Sequence, residues 1–228
     1  VLYLQETFHK SELRLSIGRD SRLSGERLLA AAAEGVLSMG ADLADFGLAS
    51  TPSMFMSTVT KGYEFDGAIM LTASHLPWNR NGMKFFTRDG GLEKSDIASI
   101  LASAQADAFI PALERGKFSK VDFLSVYAQG LVERIRSGVN AEDYEHPLKG
   151  FRIVVDAGNG AGGFYVDRVL QPLGADTTGS QFLEPDGHFP NHQPNPEDKE
   201  AMDSIAQCVL NNKADMGIIF DTDVDRAG

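Results

Sequence analysis

The chain has 228 residues, of which 43% are hydrophobic and 23% are charged, a composition typical of globular domains. The formal net charge is −11, and the sequence contains no cluster of lysine and arginine of the kind that neutralises phosphate groups. Neither nucleic acid nor a membrane is therefore expected as a partner. No apolar run is long enough to span a membrane. The single cysteine, Cys208, excludes an internal disulfide, and its helical apolar surroundings predict a buried structural thiol.

Strand-like and helix-like patterns alternate along the first part of the chain. We predict a strand at residues 13–18, a helix from 24 to about 39, a short strand at 41–48, a helix opened by Thr51 and Pro52, strands at 65–71 and 83–86, and helices near 95–106 and 122–136. The strand at 65–71 is apolar nearly throughout, as a buried parallel strand would be.

A polar segment with Gly, Pro and charged residues, 137–150, interrupts this pattern and is interpreted as a linker. The pattern then restarts with a strand at 151–155, a helix at 164–173, a long loop, a helix at 200–211 and a strand at 216–220. The expected fold class is α/β, with two consecutive three-layer α/β domains and mixed, mostly parallel sheets. We place the first domain at 1–143 and the second at 144–228.

The long loop of the second part, LEPDGHFPNHQPNPED at residues 183–198, is rich in Pro, Asn and Asp. We expect it to be irregular and exposed, with a functional or interdomain role. It contains His188 and His192, whose spacing would suit zinc on a helix. The surrounding prolines exclude a helix, so we predict solvated loop histidines instead.

A literal GxGxxG motif follows the strand at 151–155, with its glycines at Gly158, Gly160 and Gly163. A nicotinamide site is one interpretation, because such glycines let a backbone approach a pyrophosphate. However, Asp156 precedes the first glycine, and its carboxylate would repel a pyrophosphate. The interpretation that we favour is a tight turn between a strand and a helix.

The stretch IIFDTDVDR, residues 218–226, leads an apolar strand directly into Asp221, Asp223 and Asp225. Three carboxylates at alternate positions repel one another unless a hard cation binds their oxygens, and Mg²⁺ is the expected ion. A solvated acidic turn is the alternative. The pattern is also similar to the aspartate motif of haloacid-dehalogenase-like phosphatases, but there the Thr/Ser motif follows the aspartates, whereas Thr72 precedes them here.

The stretch LTASHLPWNRNGMKFF, residues 71–86, places Ser74 and Lys84 around one irregular loop. A serine is a poor nucleophile at neutral pH unless another group activates it. If the serine already carries a phosphate, the phosphoryl group needs a cation to neutralise its charge and positioned hydrogen-bond donors around it. The three aspartates would supply the cation, and Lys84 and Arg19 would supply positive charge. We therefore expect the serine and aspartate loops to face each other across a cleft.

These motifs together resemble those of the α-D-phosphohexomutases, the phosphoglucomutase/phosphomannomutase superfamily. The segment TASHLPWNRNGMKFF resembles the active-site serine loop of that family, FDTDVDR its metal loop, GRDSR its first-domain arginine segment and DGHFPNHQPNPE its second-domain loop. The four motifs occur in the family order and cover nearly the whole chain. Leu76 and Thr222 stand where the family commonly has Asn and Gly.

The resemblance implies a role for each candidate site residue. Ser74 would carry the phosphate, and its oxygen would bind one Mg²⁺ together with Asp221, Asp223 and Asp225. Three further residues would be catalytic: His75 lies beside the serine, and Arg19 and Lys84 are placed for proton transfer and charge stabilisation. Arg226 and Arg22 would bind the phosphate or the substrate.

The implied reaction interconverts hexose 1-phosphate and hexose 6-phosphate through a hexose 1,6-bisphosphate, which is also the expected activator. The family has four domains and this chain matches the first two, so we expect sequence beyond Val1 and Gly228, C-terminal domains as partners, and an inactive fragment. The alternatives are a phosphatase with Asp221 as nucleophile and a non-catalytic metal-binding fragment. The sugar stays open, and the expected location is the cytoplasm, with a plastid or another reducing compartment as alternatives.

Overall fold

The structure is a computed structural model that describes residues 1–107 and 109–228. Its elements are, in chain order, α1 (Leu2–Phe8), β1 (Arg14–Arg19), α2 (Gly25–Ser38), β2 (Asp42–Leu48), α3 (Thr51–Ser57), β3 (Gly67–Leu71), β4 (Met83–Thr87), β5 (Gly90–Gly91), α4 (Lys94–Ala106), β6 (Phe118–Lys120), α5 (Phe123–Val139), β7 (Ile153–Asp156), α6 (Lys199–Asn212) and β8 (Met216–Ile219). None of these helices combines the length and apolarity that a membrane span requires.

Strands β1 to β6 form one mixed sheet in the order β5-β4-β3-β1-β2-β6. The pairs β1–β2, β1–β3 and β2–β6 are parallel, whereas β3–β4 and β4–β5 are antiparallel. Arg19 pairs with Leu71 at the ends of β1 and β3, so the segments that follow both strands leave the same edge of the sheet. The α/β class with a mixed, mostly parallel sheet is confirmed.

The second part of the chain forms a separate two-stranded sheet in which β7 and β8 are parallel. Asp156 pairs with Ile219 in this sheet, so the glycine-rich turn and the aspartate-rich segment leave its edge side by side. The boundary that we place between residues 143 and 144 stays a prediction.

Hydrophobic packing explains most of the predicted elements. Every residue of β3 is buried, as its apolar sequence predicts. Helix α3 begins at Thr51 as expected. Ser50 caps it, because its side chain accepts a hydrogen bond from the N–H of Ser53 in a reciprocal capping box.

Five elements differ from the sequence-based expectation, and two of them are the short strands β5 and β6, which were not predicted. Helix α5 continues to Val139, into the predicted linker, because its apolar face packs against Val169 and Leu173 of the second part. The helix predicted at 164–173 is a π-helical turn, Val166–Leu170, followed by a 3₁₀ turn, Gln171–Leu173. Helix α1 was not predicted, and it buries Leu4 against the core of the first sheet.

Candidate active site between the serine and aspartate loops

The serine loop, residues 72–82, follows β3, and the aspartate loop, residues 220–226, follows β8. The two loops meet through Ser74, whose Oγ donates a hydrogen bond to Oδ2 of Asp221 at 2.9 Å. Nη2 of Arg226 lies between them, 3.0 Å from Oγ of Ser74 and 2.9 Å from Oδ2 of Asp221. A hydroxyl, a carboxylate and a guanidinium therefore converge at one point where the two parts of the chain face each other.

The three aspartates form one acidic cluster, in which each residue offers a carboxylate oxygen within 4.8 Å of the others. Asp221 and Asp223 are fully buried, whereas Asp225 is exposed. Nζ of Lys84 donates to Oδ2 of Asp223 and to Oδ2 of Asp225, at 2.7 Å in each case. One network of direct contacts therefore joins Lys84 to the four residues that are predicted to bind the metal, which are Ser74, Asp221, Asp223 and Asp225.

Burial and mutual repulsion perturb the titration of this cluster. Burial, with Asp223 and Asp225 nearby, raises the pKa of Asp221 to about 6. Burial also acts to raise the pKa of Asp223, but Lys84 outweighs it and holds that pKa below its usual value. Although burial acts to lower the pKa of Lys84, Asp223 and Asp225 raise it above its usual value, so the amine is held as an ammonium ion.

The residues present fit a hard divalent cation. Carboxylate oxygens are the ligands that Mg²⁺ prefers. Oδ1 of Asp223 is buried and has no hydrogen-bond partner in the described part of the chain, and a buried carboxylate oxygen of this kind is costly without a partner. A cation beside Asp223 would satisfy that oxygen and relieve the repulsion among the three aspartates.

Unusual backbone conformations shape both loops. Ser74 has a φ of 50° and Val224 has a φ of 64°, a region that β-branched residues rarely adopt. In the aspartate loop, Oδ1 of Asp221 accepts the backbone N–H groups of Asp225 and Arg226, which closes the turn. Such conformations persist where the surrounding contacts over-determine them, and they are found preferentially at functional sites.

Arg22 holds the serine loop from beneath. Its guanidinium is buried and uses all five of its N–H groups within the protein. Nε donates to Asp20, Nη1 to the carbonyl oxygens of Pro77 and Arg80, and Nη2 to those of Ser74 and Leu76, at 2.5–3.1 Å. No donor is left for a substrate phosphate, so the phosphate-binding role predicted for Arg22 is replaced by the proposal that it shapes the loop.

Asp20 completes this support for the serine. Its Oδ2 accepts a hydrogen bond from Oγ1 of Thr72 at 2.7 Å, and that same hydroxyl oxygen accepts the backbone N–H of Ser74 at 2.8 Å. Burial raises the pKa of Asp20 even though Arg22 opposes this effect. The GRDSR segment therefore reaches the serine through its Asp and its second Arg.

Arg19 and His75 do not join the cluster of direct contacts. Nη2 of Arg19 donates to Glu26 at 3.0 Å, and Arg19 lines a cavity of about 1100 Å³. That cavity lies between the two parts of the chain, but neither Ser74 nor the three aspartates are among its lining residues. The ring of His75 is exposed and makes no hydrogen bond to the residues that the structure describes. The catalytic roles of both residues stay predictions.

Thr51 and Gln193 contact the site, and neither was predicted to do so. Thr51 donates its side-chain hydroxyl to Oδ2 of Asp223 at 2.5 Å and its N–H to the Asp223 carbonyl at 2.8 Å. Nε2 of Gln193, in the long loop, donates to the carbonyl oxygens of His75 and Leu76 at 2.8 and 3.2 Å. Both lie in segments that the sequence singles out, but their partners are more than a hundred positions away.

The long loop and the glycine-rich turn pack together. The prediction that the loop is exposed is wrong for His192, which is buried and bonded to Asp156, whereas His188 is exposed as predicted. Gly158 has a φ of 52°, and a Cβ there would lie 2.6 Å from Cβ of Pro194. A Cβ at Gly160 would lie 2.7 Å from the carbonyl oxygen of Thr222. These contacts agree with a tight turn that protein atoms fill.

An α/β fold in which a serine loop faces an acidic loop agrees with the resemblance to the phosphohexomutases. Two family models match this chain: phosphoglucomutase/phosphomannomutase, alpha/beta/alpha domain I, over residues 1–110, and domain II of the same family over residues 126–228. The chain belongs to the phosphoglucomutase/phosphomannomutase family, and the resemblance noted from its motifs is confirmed.

Individual relatives agree with this assignment. A phosphomannomutase of Escherichia coli is 35% identical over 93% of this chain and 46% of its own length. A phosphoglucomutase of Neisseria gonorrhoeae is 31% identical over 96% of this chain and 45% of its own length. A solved structure of a phosphoglucomutase/phosphomannomutase family protein from Burkholderia thailandensis matches with a TM-score of 0.80 at 30% identity, over 99% of this chain and 48% of that one. The chain thus spans about half the length of the relatives it matches.

Proposed function

We propose that this chain carries the phosphoserine and metal-binding part of a phosphohexomutase, which interconverts hexose 1-phosphate and hexose 6-phosphate. The supporting observation is the convergence of Oγ of Ser74 with Asp221 and Arg226 at 2.9–3.0 Å. Relatives named for glucose and for mannose phosphates match at similar identity, and the proposal covers both hexoses. A hexose 1,6-bisphosphate would be the intermediate and the activator.

In this proposal Ser74 is the phosphate carrier. When bound, Mg²⁺ would be held by Asp221, Asp223 and Asp225 beside the serine oxygen and would offset the negative charge of the phosphoryl group. The left-handed backbone of Ser74 presents its Oγ towards the aspartate loop, and Arg226 donates to that oxygen. Phosphoryl transfer depends mainly on positioning and on stabilisation of charge, and these residues supply both.

Lys84 has a separate task from the carboxylates. Its Nζ donates to Asp223 and to Asp225 at 2.7 Å, beside the serine loop, and we assign the ammonium group to stabilising charge on the transferring group. Arg19, which the resemblance places with Lys84 for proton transfer and charge stabilisation, is the second candidate at the transferring group, and His75 stays a predicted catalytic residue without an assigned step.

The phosphatase alternative requires Asp221 as a nucleophile. Both of its oxygens already accept hydrogen bonds: Oδ1 from the backbone N–H groups of Asp225 and Arg226, and Oδ2 from Ser74 and Arg226. A carboxylate held in this way is a weak nucleophile with restricted access. The geometry therefore favours the serine as the phosphate carrier.

The test is the interconversion of hexose 1-phosphate and hexose 6-phosphate by the protein in its natural length, compared with Ser74→Ala. Without Oγ no phosphoenzyme can form, so the variant should fall to near background even with added hexose 1,6-bisphosphate. The matched control is Ser95→Ala, at an exposed serine in the first turn of α4, which should keep full activity. Full activity in Ser74→Ala would overturn the mechanism, and a wild-type protein without turnover would favour the non-catalytic alternative.

A further inference from the structure

We infer that His192 is a positioning residue that fixes the contact between the long loop and the serine loop. Its ring is a doubly protonated imidazolium, held between the carboxylate of Asp156 and the backbone carbonyl of Gln193. The inference rests on the proposed function only because the serine loop carries Ser74. Neither the glycine-rich turn nor the aspartate cluster accounts for a buried histidine at this position.

The hydrogen-bond partners of His192 set its protonation state. Nε2 lies 3.0 Å from both carboxylate oxygens of Asp156, and Nδ1 lies 3.0 Å from the carbonyl oxygen of Gln193. A carbonyl and an ionised carboxylate can only accept hydrogen bonds, whereas a neutral imidazole carries a single N–H. Both contacts are satisfied together only when both ring nitrogens are protonated.

The carboxylate of Asp156 is well supplied with donors. Besides His192 it accepts the N–H of Gly158 and the side chains of Gln181 and Ser204, at 2.8–2.9 Å. Although burial acts to raise the pKa of Asp156, the hydrogen bonds from His192, Gln181 and the N–H of Gly158 hold it below its usual value, so the carboxylate stays ionised. An ionised partner in a buried site favours the charged form of the histidine.

The surrounding titratable groups act in the same direction. The pair lies at the end of β7, where Glu200 and Cys208 of α6 also face it. Burial acts to lower the pKa of His192, but Asp156, the Gln193 carbonyl and Glu200 together raise it above its usual value. The side chains of His192 and Asp156 are 2% and 0% exposed, so solvent screening of this ion pair is weak.

The pair connects directly to the serine loop. Gln193 accepts from His192 through its carbonyl and donates through its side-chain Nε2 to the carbonyls of His75 and Leu76, next to Ser74. The glycine-rich turn seats this arrangement, since a Cβ at Gly158 would lie 3.4 Å from Cε1 of His192 and still closer to the following Pro194. The second sheet thus reaches the serine loop through Asp156, His192 and Gln193.

A pH dependence follows from this arrangement. The folded pKa of His192 lies above its unfolded value of about 6.5. The stabilisation from the ion pair is therefore fully present below about pH 6.5 and is lost as the pH rises through the folded pKa. We expect amide hydrogen exchange in the serine loop to increase as the pH rises above the folded pKa of His192, while the core of the first sheet is unaffected.

The first experiment is nitrogen-15 NMR of the protein labelled at histidine, in its natural length. Both ring nitrogens of His192 should be protonated at about pH 7. A neutral ring for His192 at about pH 7 would overturn the inference. This measurement needs no turnover, so its failure is distinct from a failure of the proposed mutase activity.

The second experiment is amide hydrogen exchange in residues 73–82, where the N–H groups of Leu76 and Arg80 bond within the loop. His192→Gln should raise exchange there about tenfold relative to His146→Gln, at an exposed histidine of the second part of the chain, at the same pH, and the difference should shrink as the pH rises above the folded pKa of His192. Equal exchange in the two variants would contradict the inference.

Gln193→Leu separates the link from the folding of the second part. It removes the side-chain amide but keeps the backbone carbonyl that His192 uses, so the ring signals of His192 should not change while exchange in residues 73–82 rises. In the active protein this variant should lower kcat more than it changes KM, because it loosens the serine rather than a substrate contact. An unchanged serine loop in Gln193→Leu would overturn the link.

Discussion

The serine loop and the aspartate loop satisfy their polar groups in different ways. The five N–H groups of the buried Arg22 donate hydrogen bonds to four carbonyl oxygens of the serine loop and to the carboxylate of Asp20. The aspartate loop sets three carboxylates against Lys84 and Arg226 and leaves Oδ1 of Asp223 buried without a partner in the described chain. Protein groups alone satisfy the polar atoms of the serine loop that Arg22 contacts. The aspartate loop keeps negative charge and an unpartnered carboxylate oxygen, which a bound cation would satisfy.

Removal of the Arg22 side chain takes away the hydrogen bonds that hold the serine loop and should give the largest change in stability. Arg22→Met leaves Asp20 as an uncompensated buried carboxylate, which costs about 3–5 kcal/mol of unfolding free energy. Urea unfolding checks this, with Arg80→Met as the control, because the side chain of Arg80 is exposed on the same loop. A loss in Arg22→Met no larger than in Arg80→Met would mean that the arginine does not hold the loop.

Removal of the Lys84 ammonium group affects the aspartate loop, where it contacts Asp223 and Asp225. Lys84→Met keeps the bulk of the side chain but removes the ammonium, so we expect kcat of the whole enzyme to fall about 100-fold or more. Steady-state kinetics measure this, with Lys61→Met, at an exposed lysine, as the control. If Lys84 were only structural, the melting temperature would drop and the kcat of the folded fraction would stay intact.

Addition of Mg²⁺ should complete the aspartate loop and stabilise the protein. At about 100 times its Kd, the ion should contribute about 2.7 kcal/mol, which raises Tm by about 5–10 °C. The pKa of Asp221 is raised to about 6, so a proton competes with the ion, and the shift should be larger at about pH 7.5 than at about pH 5.

Matched aspartate variants test this prediction. Asp223→Asn should abolish the Mg²⁺-dependent shift in Tm. Asp167→Asn, which removes an exposed charge from the same part of the chain, should keep it. An equal response in both variants would show that the ion acts elsewhere on the protein.

Most of the elements and the meeting of the two loops could be predicted from the sequence. Apolar strands that end in polar loops place Ser74 and Asp221 at carboxyl ends of their sheets, and the motif order identifies the family. These features depend on local patterns and on residues that stay close together in the chain.

The remaining features depend on distant partners that a local pattern does not encode. The resemblance assigns Arg22 to binding the phosphate or the substrate, and the carbonyl oxygens that accept its hydrogen bonds lie 52–58 positions away in the chain. His192 lies in a proline-rich loop, but its ring is buried against Asp156 and Phe182, which lie outside that loop. The assignment of solvated histidines was therefore wrong for the one histidine that tertiary structure encloses.

The most direct test of the account is to map the phosphate on the protein. After incubation with a hexose 1,6-bisphosphate and Mg²⁺, peptide mass spectrometry of the natural-length protein should find one phosphate, on Ser74, and none in Ser74→Ala. A phosphate on Asp221, or an acid-stable phosphate only on another residue, would contradict the claim that Ser74 is the phosphate carrier beside the aspartate cluster.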